Sequence, residues 1–200
     1  MNKDKNNKLI GAIVLNGDQY DGKIEGDIIV GVDGGYEKTP NANVFVGDCD
    51  SINSKIDCEN KFLLNVDKDY TDGEVALKYL LDQKVNKINF YGVTGGRLDH
   101  ILMNLSLLAS CVQSGVKAEA HCNNCDIYMV QDEIELELEK NTVISLVPFT
   151  DNVHIISLEG VKWTLSNENL SKFSTRTISN IVTAAKMHLS VDSGLVMVIV

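Results

Sequence analysis

Short apolar runs alternate with helical patterns along the first part of the chain. Six runs have the length and β-branched content of strands, and they span residues 9–15, 27–32, 44–46, 62–66, 87–91 and 116–120. Thr71 and Glu74 are spaced as a capping box that begins one helix. A second helix is expected to begin near Leu98, with Leu102 and Leu108 in its apolar stripe. This alternation predicts an α/β fold with a mostly parallel sheet.

The pattern changes near residue 128. Beyond it the helical spacing disappears and a period of two appears, most plainly at residues 134–139. Further strands are predicted at residues 144–147, 153–158, 161–165, 173–178 and 195–200. The sequence therefore predicts an N-terminal α/β domain with a mostly parallel sheet, residues 1–128, and a C-terminal β-sandwich domain, residues 129–200.

Charge and composition narrow the possible partners. The chain of 200 residues has 18 basic and 28 acidic side chains and a formal net charge of −10, so its overall field repels a nucleic-acid backbone. The apolar run at residues 195–200 is far shorter than the roughly 20 residues that span a bilayer. The five cysteines show no regular framework, which is typical of a reducing compartment. We expect a cytoplasmic protein with neither nucleic-acid nor membrane partners.

Polar clusters follow the carboxyl ends of four predicted strands. They lie at residues 33–35, 47–51, 67–72 and 94–100. Open α/β sheets bind their ligands in the crevice beyond those carboxyl ends. The sequence therefore predicts that the four loops form one site.

Two aspartates in the second cluster are candidates for a metal site. Asp48 and Asp50 are separated by one residue, so in an extended segment both carboxylates leave the same face and can share Mg²⁺. The alternative is a turn in which the side chains bond to nearby backbone. Asp69 and Asp72 favour the metal, because four carboxylates at one sheet edge repel each other unless a cation or ligand offsets their charge.

The fourth cluster has the character of a phosphate-binding loop. Gly95 and Gly96 allow backbone amides to approach phosphate oxygens, and the helix that follows adds its positive end. Arg97 adds a fork of donors, although a glycine-rich turn with a surface arginine has the same sequence. The P-loop and dinucleotide-binding fingerprints do not occur at any strand–helix turn.

The ordered set of motifs resembles the thiamine pyrophosphokinases. It comprises Asp-Gly-Gly at 33–35, Gly-Asp-Cys-Asp-Ser at 47–51, Lys-Asp-Tyr-Thr-Asp at 68–72, Gly-Gly-Arg-Leu-Asp-His at 95–100 and Ser-Asn at 179–180. Each motif is weak by itself, and the resemblance lies in their order and spacing over nearly the whole chain.

The resemblance implies a homodimeric, Mg²⁺-dependent enzyme that transfers diphosphate from ATP to the hydroxyl of thiamine, giving thiamine diphosphate and AMP. It also implies that the α/β loops hold ATP and Mg²⁺, and that the β-domain of the partner subunit covers thiamine. Two other functions remain open from the sequence. One is a nucleotide-binding paralogue without turnover, and the other is a Mg²⁺-dependent phosphohydrolase.

The resemblance also assigns roles to residues. The expected metal ligands are Asp48, Asp50 and Asp72, and the expected catalytic residues are Asp72, Arg97 and Asp99, with Asp72 or Asp99 as the base. The expected ATP contacts are Asp33, Gly34, Lys68, Asp69, Thr71, Gly95, Gly96 and Arg97. The expected thiamine contacts are Trp163, Thr177, Ser179 and Asn180. For Trp163 a place in the core is the alternative, since a lone tryptophan in a small domain is usually buried.

Overall fold

The computed structural model describes residues 8–48, 60–63 and 69–200. The chain divides into two compact units, Met1–Asn124 and Cys125–Val200. The sequence-based boundary at residue 128 falls inside the first strand of the second unit, Asp126–Val130, so the change of unit comes before it. None of the helices in the described ranges has the length and apolar character needed to cross a membrane.

The first unit is built on a parallel sheet. Its strands are β1 (Ile10–Val14), β2 (Ile28–Val32), β3 (Val44–Gly47), β4 (Asn60–Leu63), β5 (Lys87–Tyr91) and β6 (Lys117–His121), and its helices are α1 (Asp72–Asp82) and α2 (Leu98–Gln113). The strands lie in the order β6-β5-β1-β2-β3-β4, and each strand is parallel to its neighbours in this order. The predicted α/β domain is confirmed.

Helix α1 begins where its capping box places it. The Thr71 backbone N–H donates to Glu74 Oε2 at 2.8 Å, and the Glu74 N–H donates to Thr71 Oγ1 at 3.2 Å. These two bonds satisfy amides that have no partner inside the helix. The helix then buries Ala76, Leu77 and Leu80. The local sequence therefore fixes the point at which α1 starts.

Helix α2 begins at Leu98 as predicted, but its apolar stripe is only partly buried. Leu107, Leu108 and Cys111 are buried, whereas Leu102, which the periodicity placed in the stripe, is 52% exposed. The buried positions lie in the second half of the helix, whereas Leu102 and Met103 in the first half are exposed. The burial of Leu102 is therefore a wrong prediction.

The second unit is a β-sandwich. Its strands are β7 (Asp126–Val130), β8 (Glu133–Glu137), β9 (Val143–Pro148), β10 (Asn152–Glu159), β11 (Leu165–Ser171), β12 (Asn180–Ile181), β13 (Lys186–Ser193) and β14 (Val196–Ile199). Within this unit β12-β9-β14-β7 and β11-β10-β13-β8 form two antiparallel layers. Leu146 and Val198 from one layer meet Ile155, Leu158 and Leu189 from the other in one apolar core. The predicted sandwich is confirmed.

Two strands predicted for this unit are wrong. Residues 161–164 contribute only an isolated bridge at Val161, and residues 173–178 form turns in which Phe173 is 88% exposed. The chain instead forms β11, a polar strand at the sheet edge, and β13, whose Met187 and Leu189 point into the core. Met187, Leu189 and Val191 alternate with polar residues in β13, which is the period-two signal of a half-buried strand, and the sequence-based prediction overlooked it. The conformation of β11 was decided by its tertiary partner.

Candidate functional site

A cavity of about 890 Å³ lies beyond the carboxyl ends of β1, β2 and β5 in the first unit. It brings together seven of the residues that the sequence assigned to the site: Asp33, Thr71, Asp72, Gly95, Gly96, Arg97 and Asp99. These residues come from three different loops and are up to 66 positions apart in the chain. Three of the four predicted loops therefore meet at this edge of the sheet, and the cluster at 47–51 contributes no described residue to the lining.

Both α-helices in the described residues of this unit begin at the cavity wall. Thr71 and Asp72 lie at the start of α1, and Arg97 and Asp99 at the start of α2. The first amides of a helix lack intrahelical partners and carry the positive end of its dipole. Two such ends at one cavity favour an anionic ligand, and phosphate groups are the common case.

Arg97 and Asp99 form a two-pronged ion pair at the rim. Arg97 Nε donates to Asp99 Oδ1 at 3.1 Å, and Arg97 Nη2 donates to Asp99 Oδ2 at 2.6 Å. Their side chains are 75% and 59% exposed. The hydrogen bond from Arg97 holds the pKa of Asp99 below its usual range, and the same bond raises the pKa of Arg97. Asp99 therefore stays ionised and holds the guanidinium in one orientation, with the Nη1 donors turned away from the pair.

The glycine-rich loop after β5 has a backbone that other residues adopt only with strain. Gly92, Gly95 and Gly96 have φ angles of 63°, 89° and 72°. A Cβ on Gly95 would lie 2.1 Å from Asp18 Oδ1. The loop is also bonded to the segment after β1, since the Asp18 N–H donates to the Thr94 carbonyl at 2.6 Å. Glycine is thus required here both for conformation and for close approach.

The Asp-Gly-Gly motif after β2 forms a short 3₁₀ turn, Asp33–Gly35. Asp33 has a φ of 47° and borders the cavity. Gly34 is buried and does not line the cavity, because its Cα faces the side chain of Asn16, and an added Cβ would lie 2.4 Å from Asn16 Oδ1. The structure therefore gives Gly34 the role of making room for Asn16.

The remaining acidic and basic candidates of this unit lie apart from the cavity lining or outside the described residues. Asp48 follows β3 directly and is half-buried, and Asp69 is exposed just before α1. Asp50 and Lys68 lie outside the described residues. Within residues 8–48, 60–63 and 69–200, no three His, Cys, Asp or Glu side chains group as a metal site. The predicted trio of Asp48, Asp50 and Asp72 stays a prediction.

In the second unit Asn180 supports the backbone of Trp163. The Asn180 side chain is buried, its Oδ1 accepts the Trp163 N–H at 3.0 Å, and its Nδ2 donates to the Trp163 carbonyl at 2.7 Å. Asn180 Oδ1 also accepts the N–H of Ile181 at 2.9 Å. The Trp163 ring is 54% exposed, and Lys162 Nζ lies 4.6 Å from its centroid. Trp163 is therefore a surface residue, and Asn180 fixes where it stands.

Thr177 and Ser179 do not lie on a strand, and they face different surroundings. Thr177 is buried, and its hydroxyl donates to the Leu146 carbonyl at 2.7 Å. Ser179 is exposed with a φ of 60°, and its backbone N–H donates to Ser145 Oγ at 3.0 Å. Two positions apart on a strand, Thr177 and Ser179 would share one face, but the chain turns between them and they do not.

The sequence did not identify several residues that line the cavity as candidates for the site. Asn16, Glu74, Met103, Asn104 and Leu107 line the cavity. Asn16 and its neighbour Gly17 follow the carboxyl end of β1, so the rule that identified the other loops also applies to this one. Met103, Asn104 and Leu107 lie farther along α2 and belong to no polar motif, so only the orientation of the helix reveals them.

Comparison with known proteins gives consistent results. The family model described as "Thiamin pyrophosphokinase, catalytic domain" matches residues 24–120, and the model described as "Thiamin pyrophosphokinase, vitamin B1 binding domain" matches residues 131–196. A thiamine pyrophosphokinase of Bacillus subtilis is 33% identical over 135 residues, which are 66% of this chain and 63% of that protein. Thiamin pyrophosphokinase 1 of Caenorhabditis elegans is 28% identical over 165 residues, 77% of this chain and 68% of that one.

A solved structure agrees over more of the chain. The crystal structure of thiamine pyrophosphokinase from Bacillus subtilis superposes with a TM-score of 0.82 at 27% identity. The superposition covers 95% of this chain and 97% of that one. The similarity therefore extends through both units.

Proposed function

This chain belongs to the thiamine pyrophosphokinase family, and we propose that it transfers the diphosphoryl group of ATP to the hydroxyl of thiamine, giving thiamine diphosphate and AMP. The observation that carries the proposal is the cavity at the sheet edge, where a glycine loop, an arginine and two helix starts surround one space. All three features favour a chain of phosphates. The exposed aromatic ring of Trp163 suits a cationic ligand such as thiamine.

The first task of these residues is to hold ATP with its β-phosphorus open to attack. The amides around Gly95 and Gly96 and the first amides of α2 face the phosphate oxygens. Arg97 neutralises charge on the group that moves, and Asp99 keeps its guanidinium in place. The thiamine hydroxyl then attacks the β-phosphorus in line, and AMP leaves.

The proton of the thiamine hydroxyl needs an acceptor. Both carboxylate oxygens of Asp99 accept hydrogen bonds from Arg97, so we assign Asp99 to the positioning of Arg97. Asp72 borders the same cavity and is the proposed acceptor, with one carboxylate oxygen for the proton and the other for the metal.

We propose Mg²⁺ as the metal. Members of this family are kinases that generally need a divalent metal. The donors fit, because Asp33 and Asp72 place hard carboxylate oxygens at the cavity and Asp48 follows a strand at the same edge of the sheet. When bound, Mg²⁺ offsets the charge of the phosphate oxygens. Asp48, Asp50 and Asp72 are the proposed ligands.

Thiamine is proposed to bind through the second unit of a partner subunit in a homodimer. The family model for this unit is described as a vitamin B1 binding domain. Trp163 offers an exposed ring, although Lys162 covers part of it, so a cationic thiazolium either displaces Lys162 or uses the other face. Ser179 is exposed and is proposed to contact thiamine directly. Thr177 and Asn180 are proposed to contribute indirectly, because each forms a hydrogen bond to the backbone of this unit. We also propose a cytoplasmic location, which suits the free thiols of Cys111 and Cys125.

A thiamine-dependent assay tests the function. The purified protein is incubated with ATP and MgCl₂, with and without thiamine, and AMP, ADP and phosphate are quantified. We expect AMP to appear only with thiamine. Loss of ATP that is independent of thiamine would instead identify a phosphohydrolase, and ATP binding without turnover would identify a paralogue that has lost catalysis.

A further inference from the structure

The ammonium group of Lys38 forms hydrogen bonds to the loop that follows β1. Lys38 Nζ donates to the Gly17 carbonyl at 2.5 Å and to Asn16 Oδ1 at 3.2 Å. Asn16 and Gly17 line the cavity, whereas Lys38 is absent from its lining. Lys38 therefore contacts the cavity only indirectly, through its hydrogen bonds to Asn16 and Gly17.

This contact fixes which way the Asn16 amide faces. An ammonium group only donates hydrogen bonds, so the atom nearest Lys38 is the amide oxygen. The amide also lies against Gly34, where an added Cβ would stand 2.4 Å from Oδ1 and 2.8 Å from Nδ2. Because Lys38 occupies the amide oxygen, the N–H₂ donors of Asn16 remain for a ligand, and Asn16 is an exposed residue that lines the cavity.

The same loop is attached to the glycine-rich loop after β5. The Gly17 N–H donates to the Gly92 carbonyl at 3.0 Å, and the Asp18 N–H donates to the Thr94 carbonyl at 2.6 Å. Asn16 therefore stands beside the backbone that is proposed to bind phosphate. Carboxylates of Asp72 and Asp99 border the same cavity, and an amide donor adds a hydrogen bond to an anion there without adding repulsion.

We propose that Asn16 Nδ2 donates a hydrogen bond to a phosphate oxygen of the bound nucleotide, and that Lys38 is the positioning residue that holds Asn16 for this contact. The identity of the nucleotide rests on the proposed function, whereas the contact itself is tested by binding alone. Lys38 acts through Asn16 and Gly17 and does not touch the substrate.

Calorimetric titration with ATP and MgCl₂, in the absence of thiamine, measures the contact directly. Asn16→Ala should raise the Kd for ATP about tenfold or more, the range for loss of a hydrogen bond to a charged oxygen. Asn16→Asp should raise it further, because it keeps the partner of Lys38 but turns a carboxylate toward phosphate. Lys38→Met should raise the Kd several-fold and Lys38→Arg less. Lys140→Met, at an exposed position in the second unit, is the control and should bind as the wild type does.

The double variant separates positioning from general support of the fold. If Lys38 acts through Asn16, Lys38→Met should cost little further affinity in the Asn16→Ala background. Additive losses of affinity would show that Lys38 supports the loop by another route and would overturn its positioning role. If Lys38→Met does not fold, Lys38→Gln takes its place in the same cycle.

Failure of this inference can be told apart from failure of the proposed function. In thiamine-dependent turnover, Asn16→Ala should raise the KM for ATP while the KM for thiamine stays unchanged. An Asn16→Ala variant that binds ATP as tightly as the wild type overturns the inference, even where the wild type converts thiamine normally. A wild type that binds ATP but never forms AMP with thiamine refutes the function, and the Kd series still decides the contact.

Discussion

Replacement of Arg97 tests whether the residue acts on the transition state or only binds substrate. The chain contains two arginines, Arg97 and Arg176, and only Arg97 lies at the cavity. Its Nε and Nη2 are held by Asp99, so the Nη1 donors keep one direction before substrate arrives. A donor oriented in advance stabilises developing charge without reorganising during the reaction.

The size of the effect follows from that geometry. Loss of one preorganised donor lowers kcat by roughly 10²–10³ in comparable sites, and we expect Arg97→Ala to fall in this range. Arg97→Lys should recover only part of the loss, because an ammonium group replaces the charge but cannot keep the two-pronged contact to Asp99. Asp99→Asn should reduce kcat about tenfold, since the guanidinium keeps its charge and loses part of its orientation.

Steady-state kinetics at saturating Mg²⁺, with circular dichroism to verify folding, measure these variants. The matched control is Arg176→Ala. Arg176 is also exposed and also forms an ion pair, with Glu168, so its replacement should leave kcat nearly unchanged. We expect the KM for thiamine to change little in Arg97→Ala. Near-normal kcat in Arg97→Ala with a raised KM for ATP would mean that Arg97 only binds substrate, and the mechanistic role given to it would be refuted.

Three further predictions concern the metal, the assembly and the second unit. Asp48→Asn and Asp50→Asn should each abolish metal-dependent turnover without unfolding the protein, and normal activity at an unchanged Mg²⁺ requirement would show that the pair is only a turn. Light scattering coupled to size exclusion should give the mass of a dimer, and a fully active monomer at micromolar concentration would contradict the shared site. Asn180→Ala should lower the free energy of unfolding by roughly 2–4 kcal/mol, because it removes the bonds to both backbone groups of Trp163. Chemical denaturation measures this loss, and an unchanged stability would mean that Asn180 does not support Trp163.

The fold could be predicted well where local patterns and tertiary structure agree. The central strands of the α/β unit, such as β1 and β5, are buried along most of their length and therefore appear as apolar runs. The start of α1 is encoded by Thr71 and Glu74, which bond to each other's backbone. Strand β11 could not be found in this way, because its sequence is polar and its conformation depends on pairing with β10.

The site was predictable in position but not in the direction of its side chains. The strand-end rule placed Asp72, Arg97 and Asp99 together, as the cavity shows. The sequence could not show that Thr177 bonds to the Leu146 carbonyl, 31 residues away. Contacts of that kind satisfy buried backbone groups, and they depend on the packing of the whole unit.

The two units also differ in what the sequence reveals about function. Loops of the first unit carry charges and glycines clustered at strand ends, and residues from three of these clusters line one cavity. In the second unit Asn180 fits both a substrate contact and a backbone support, and its three hydrogen bonds to backbone favour the second. The structure was needed to separate these two roles.

The fate of the β-phosphorus of ATP tests the central claim most directly. ATP labelled at the β-phosphate is incubated with the protein, MgCl₂ and thiamine, and the products are separated by chromatography. Attack at the β-phosphorus moves that atom together with the γ-phosphate, so we predict that the label appears in thiamine diphosphate, in equal amount to unlabelled AMP. Label recovered in ADP, or in diphosphate released without thiamine, would contradict the proposed transfer.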